Sequence, residues 1–71
     1  MPLSDENRLR LERLLHDLDP QQGGAAEVRR DGYLWMRTKA GRIWHRAARV
    51  RGQEVQAATV WVRDYMASKG R

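Results

Sequence analysis

Asp31-Gly32 followed by Tyr33-Leu34-Trp35-Met36-Arg37 constrains the fold more than any other stretch of the chain. An Asp-Gly pair ahead of an alternating run signals a β-hairpin turn. Side chains along a strand alternate between the two faces of the sheet. A second tight turn is expected at Ala40-Gly41, leading into Arg42–Val50 as a third strand. A two-residue turn there pairs Lys39 with Arg42, Thr38 with Ile43, Arg37 with Trp44, Met36 with His45 and Trp35 with Arg46. Paired residues share a face. One face then carries Leu34, Met36, Ile43 and Ala47; the other carries Tyr33, Trp35, Arg37, Trp44 and Arg46. The first face is a small apolar core, and the second interleaves rings with guanidinium groups. A slip of one residue would exchange the two faces.

Ahead of the Asp-Gly turn, residues 26–30 (AEVRR) read as a short strand. A two-residue loop would pair Val28 with Trp35 on the outer face. A three-residue loop, Arg30-Asp31-Gly32, pairs Val28 with Leu34 in the core, and sets Glu27 beside Trp35 and Arg29 beside Tyr33 outside. Burial of the valine favours the second register.

The flanks read as helices. Ser4 is a good N-cap, with Asp5 and Glu6 in the first turn, where carboxylates suit the helix dipole. Leu11, Leu14, Leu15 and Leu18 recur at helical spacing, and Asp19-Pro20 ends the run. Glu6–Arg10 and Arg13–Asp17 are expected i,i+4 ion pairs. Residues 20–25 (PQQGGA) read as a linker; the Gly-Gly pair lacks any phosphate-loop pattern. The last helix is expected over 53–69, with Val55, Ala58, Val62, Tyr65 and Met66 facing the sheet, Trp61 on the border and Gly70 as its stop. Residues 1–71 thus form one α+β domain: helix 4–18, linker 20–25, sheet 26–50, helix 53–69. The order is α-β-β-β-α, a three-stranded antiparallel meander with both helices packed on one face. A helical reading of 42–50 competes, but Gly41 and the alternation before it argue against it.

A domain of 71 residues buries a small core and commonly leans on a metal, a disulfide or a partner. The chain has no cysteine, which removes disulfides, thiolate zinc sites and thiol catalysis and fits a reducing cytoplasm. No apolar run is long enough for a signal peptide or membrane span. Self-association or a macromolecular partner remains, so a homodimer or tight complex is expected, with Trp61 and Tyr65 of the last helix in the interface. Charge is unevenly placed. Residues 1–25 hold three Arg against five acids, whereas residues 26–71 hold eleven Lys plus Arg against four acids. A basic surface on the sheet-bearing part is an electrostatic footprint for polyanions.

His16 reads as a solvated helix residue, and His45 as a structural residue on the core side of the third strand near the sheet margin. A general base acting on RNA is the sharper idea for His45, but no acid is spaced to orient it. No enzyme, cofactor or metal site is expected. Arg29, Tyr33, Trp35, Arg37, Trp44 and Arg46 are the candidate nucleic-acid-binding residues: bases stack on rings and Arg neutralises phosphates. Two other readings fit the same rings: a protein interface, where aromatics and Arg are also enriched, and an ordinary core under a helix.

In layout, residues 26–67 resemble the arm-type DNA-binding domain of phage tyrosine recombinases, carried by EVRRDGYLWMRTKAGRIWHRAARV and GQEVQAATVWVRDYM. The resemblance implies a basic meander whose sheet enters the major groove, with the six candidate residues facing DNA. The leading helix at 4–18 lies outside that pattern, and no recombinase domain follows it in this sequence. The whole order is also similar to a double-stranded RNA-binding domain, although Gln53 and Glu54 stand where that family needs a basic cluster. Leu15-His16-Asp17-Leu18 and Asp31-Gly32 resemble the lambda-type head-to-tail joining protein, with the third strand as an insertion. The three resemblances together imply a small phage- or mobile-element protein. Its partner would be a nucleic acid or, alternatively, a host or virion protein.

Overall fold

The computed structural model describes residues 2–69; Gly70, expected to end the last helix, lies outside them. Helix α1 (Asp5–Leu18) begins at Ser4, whose side chain accepts a hydrogen bond from the Asn7 N–H, and ends at Asp19, in the left-handed region at φ 53° before Pro20. The linker is more ordered than expected. Pro20–Gln22 make a 3-10 turn, and a Cβ on Gly24 would meet Leu18 Cγ at 2.8 Å, so only glycine lets the chain pass that close to the helix end. Strands β1 (Ala25–Val28), β2 (Tyr33–Arg37) and β3 (His45–Arg49) form an antiparallel sheet in the order β1-β2-β3. A 3-10 turn at Gly52–Glu54 leads into α2 (Val55–Lys69). The order α-β-β-β-α is therefore the one that the hydrophobic pattern implies.

The first hairpin has the three-residue loop. Val28 pairs with Leu34 and Glu27 with Trp35. Gly32 N–H donates to the Arg29 carbonyl and Arg29 N–H to the Tyr33 carbonyl, both at 3.0 Å. Gly32 sits at φ +82°, where a side chain would be strained.

The second hairpin departs from expectation. Met36 pairs with His45 and Trp35 with Arg46 as expected, but residues 38–44 form a loop instead of two strand ends and a two-residue turn. Such turns need positive φ at both central positions, which Ala40 resists, and Gly41 does not adopt it. Thr38 instead takes up the Gly41 N–H with both its carbonyl and its hydroxyl, at 3.1 Å each. Ile43, expected in the core, is consequently 80% exposed. Beyond Arg46 the register shifts: Leu34 pairs with Ala48 and Tyr33 with Arg49, leaving Ala47 as the extra residue of a bulge. Two consecutive small residues, Ala47 and Ala48, thus pack toward the helices, and Arg49 passes to the outer face.

The core lies between the inner face of the sheet and the two helices. Leu11 and Leu15 of α1, Leu34 and Met36 of β2, Val50, and Ala58 and Val62 of α2 are buried together, with Leu14, Leu18, Val28, Trp61, Tyr65 and Met66 packed around them. A polar tie joins the helix starts. One carboxylate oxygen of Glu54 accepts from Asn7 Nδ2 at 2.8 Å, from Ser4 N–H at 3.1 Å and from Ser4 Oγ at 3.3 Å. Asn7 is itself buried, and its Oδ1 accepts from Arg10 at 2.8 Å. Neither i,i+4 pair expected on α1 is the one formed. Glu6 pairs with Arg51 across the fold at 3.2 Å, Arg10 turns to Asn7, and Arg8 bridges Glu12.

The Glu54 tie is pH-dependent. The hydrogen bond from Asn7, then those from Ser4 and the nearby Arg51 charge, hold its carboxyl below its ordinary value. A carboxyl depressed on folding binds its proton more tightly in the unfolded chain, so its stabilisation is present above the unfolded value and is lost as pH falls through the folded one. Melting temperature should therefore fall with acidification below the ordinary carboxylate range, and Glu54→Gln should flatten that part of the curve. Parent and variant curves that run parallel would contradict this.

Candidate nucleic-acid interface

Strand alternation delivers the outer face, and the loop and bulge complete it. Tyr33, Trp35 and Arg37 alternate outward from β2, opposite Leu34 and Met36, which are buried. Glu27 and Arg46 flank Trp35 on its two neighbours, and Arg49 faces Tyr33. Trp44 comes from the last turn of the 38–44 loop rather than from a paired strand position, yet it folds back onto the same face.

The six residues singled out in the sequence form one layer in which guanidinium groups alternate with rings. Arg29 lies 4.2 Å from the Trp35 ring centre and 5.4 Å from that of Trp44. Arg37 covers Trp44 at 5.4 Å, and Arg46 covers Tyr33 at 4.8 Å and Trp35 at 6.0 Å. Each such contact at an exposed site contributes about 0.5–1 kcal/mol. Two carboxylates set the geometry. Glu27 accepts from Arg29 Nε at 2.7 Å. Asp31 accepts from Tyr33 N–H at 3.0 Å and from the Trp35 indole N–H at 3.1 Å, fixing the ring at the head of the turn. Arg37 also donates to the Gly41 carbonyl at 3.4 Å, which ties the loop to the sheet. A cation–ring contact uses none of the guanidinium N–H donors, so those not taken by Glu27 or the Gly41 carbonyl remain for an incoming acceptor. The rings are half-buried under the guanidinium groups rather than laid open.

Comparison with known proteins yields no relative. No family model matches the chain, no curated protein matches it, and no solved structure matches its fold.

Sequence reasoning missed Arg49 as a member of this face. The unbroken register put it on the core side, and the bulge at Ala47 turns it out. Val50 carried the signal: for Val50 to be buried, as it is, Ala48 must point in and Arg49 out. The outer face then presents four guanidinium groups, from Arg29, Arg37, Arg46 and Arg49, against the two carboxylates Glu27 and Asp31.

His45, the first residue of β3, lies at the margin of the helix side, exposed rather than packed into the core. It lines a hollow of about 250 Å³ with Leu14, Asp17, Leu18, Met36, Thr38 and Ala47. Asp17 is thus an acid on the same hollow that spacing along the chain does not reveal, although no hydrogen bond joins it to His45 among the described residues. Among those residues no three His, Asp or Glu side chains gather as a metal site, and no helix is long and apolar enough to cross a membrane. Trp61 and Tyr65 pack against each other on α2 at 5.4 Å between ring centres, with the Lys69 ammonium 6.0 Å from Tyr65. Tyr65 borders a hollow of about 500 Å³ shared with Leu9, Glu12, Arg13, His16 and Lys69, and Leu9 is more than half exposed.

Proposed function

We propose that the protein binds nucleic acid through the outer face of its sheet, with Arg29, Arg37, Arg46 and Arg49 on phosphates and Tyr33, Trp35 and Trp44 as the platform that holds them. The observation carrying this reading is the alternating guanidinium–ring layer. Packed rings splay the cations at fixed spacing, and few carboxylates compete for them. On the recombinase-arm resemblance of residues 26–67, the sheet would lie in a groove of duplex DNA; the proposed source is a phage or other mobile element, acting in the bacterial cytoplasm. Fluorescence anisotropy with single- and double-stranded DNA and RNA at two salt concentrations tests the reading. Saturable binding that weakens steeply with salt is expected, and no binding to any of the four at low salt would refute it.

A protein partner is the second reading. The Trp61–Tyr65 pair and the exposed Leu9, on the helix side of the domain, favour it for that surface. The core has no Phe, and its buried set is Leu, Met, Val and Ala. Self-association through α2 follows as an expectation: light scattering at tens of micromolar should give twice the chain mass, and Trp61→Ala should shift it toward the monomer. A monomeric parent with a high melting temperature would count against it.

The protein acts without catalysis on this reading, so His45→Ala should bind nucleic acid as the parent does. A nuclease activity present in the parent and lost in that variant would overturn it.

A further inference from the structure

Arg10, Arg49 and Arg51 converge, with Gly52, on a hollow of about 340 Å³ at the end of β3. Three features of the chain bring them there. Arg49-Val50-Arg51 is extended, and Val50 is buried, so the residues on either side of it project the same way, outward. Val50 N–H donates to the Gly32 carbonyl, which anchors this segment to the turn of the first hairpin. Arg10 arrives from α1, where Asn7 Oδ1 and the Arg49 carbonyl both accept from its Nη2. Those two bonds use one nitrogen of the guanidinium, leaving its Nε and Nη1 donors for another acceptor.

Like charges drawn to one point repel each other, and no carboxylate lines the hollow. The Arg51 charge acts on Glu54, and its ion-pair partner is Glu6 at 3.2 Å, with both side chains 70% exposed. Such a pair is solvent-screened and easily exchanged for a stronger anion. We infer that this hollow is a phosphate-binding site, with Arg10 as its fixed donor and Arg49 and Arg51 closing on a phosphate group from the strand side. Planar guanidinium forks match phosphate oxygens in paired hydrogen bonds, a geometry chloride cannot satisfy. Arg49 also faces Tyr33 on the outer sheet face, so the phosphate is either one carried by a nucleic-acid strand running past the sheet end or a free polyphosphate.

The site is tested with inorganic pyrophosphate as the probe, by calorimetry at low ionic strength, with the intact protein. One saturable site per chain is expected, persisting when sodium chloride is raised to the same ionic strength. Arg51→Ala should weaken it at least tenfold; this side chain is exposed and pairs with the exposed Glu6, its charge also acts on Glu54, and a melting curve checks that the fold is kept. Arg10→Lys, which keeps the charge and loses the fork, should weaken it as well. Arg63→Ala, which removes an exposed guanidinium of α2 away from the hollow, should leave it unchanged. Heat that vanishes at matched ionic strength, or binding indifferent to both Arg51→Ala and Arg10→Lys, would overturn the proposal. An oligonucleotide arm separates the sources. Weaker, less salt-dependent oligonucleotide binding in Arg51→Ala assigns the site to a strand phosphate, and unchanged oligonucleotide binding beside lost pyrophosphate binding assigns it to a free polyphosphate. Pyrophosphate bound by a parent that binds no oligonucleotide would uphold this site while refuting the sheet-face reading.

Discussion

Leu34→Ala is expected to leave much of the protein unfolded at room temperature. Leu34 is fully buried on the middle strand, in one cluster with residues from both helices and Val50. Truncating such a leucine costs about 2–5 kcal/mol, the higher values arising where the surroundings cannot collapse into the space. A domain of 71 residues holds roughly 4–11 kcal/mol in all, so one side chain carries a large share. Urea denaturation should show the midpoint fall steeply, or the folded baseline disappear, while Ile43→Ala should change stability by less than about 0.5 kcal/mol because that side chain stands in water. Sequence alternation put both residues in the core. Equal losses for the two substitutions would mean that the 38–44 loop is not open as described.

That contrast marks where the sequence was legible. Signals that act within a few residues were sufficient for α1, for the Arg30-Asp31-Gly32 loop and for the first hairpin register. A cap, a leucine stripe or an Asp-Gly turn each specifies backbone geometry almost alone. The second hairpin failed because its turn residues do not demand one geometry. Ala40 disfavours the tight turn, Thr38 offers a side-chain alternative, and the chain settles into a longer loop that releases Ile43 while retaining Trp44. The bulge at Ala47 was legible only through its consequences, an Ala-Ala pair and a buried Val50, which local pairing rules do not weigh. The six candidate residues still share a face because Met36–His45 and Trp35–Arg46 pair as expected, although the expected pairs nearer the second turn do not form; what was lost was Arg49, beyond the bulge. The long-range polar links, Glu54 to Ser4 and Asn7 and Arg10 to the Arg49 carbonyl, join segments far apart in the chain and carry no mark in its local pattern.

The triple substitution Arg29→Ala, Arg37→Ala, Arg46→Ala should give the largest change in binding. Each guanidinium that neutralises a phosphate releases counterions, so losing three contacts should lower the slope of log affinity against log salt by about 2.7 on a duplex, or about 2.1 on a single strand. Over a fourfold rise in salt the parent should then lose about 40-fold more duplex affinity than the variant does. Trp35→Ala separates two roles for the rings. If Trp35 stacks on a base, binding weakens by about 1–3 kcal/mol at an unchanged slope. The structure argues for a different pattern, because Arg29 and Arg46 both lie over this ring. Without it, two cations lose their support and Asp31 loses the indole donor, so the slope should fall along with the affinity. A melting curve must accompany both variants, since the triple substitution uncovers three rings and invites self-association. A folded triple variant whose salt slope equals that of the parent would remove the sheet face from nucleic-acid binding and turn attention to the surface around Trp61, Tyr65 and Leu9.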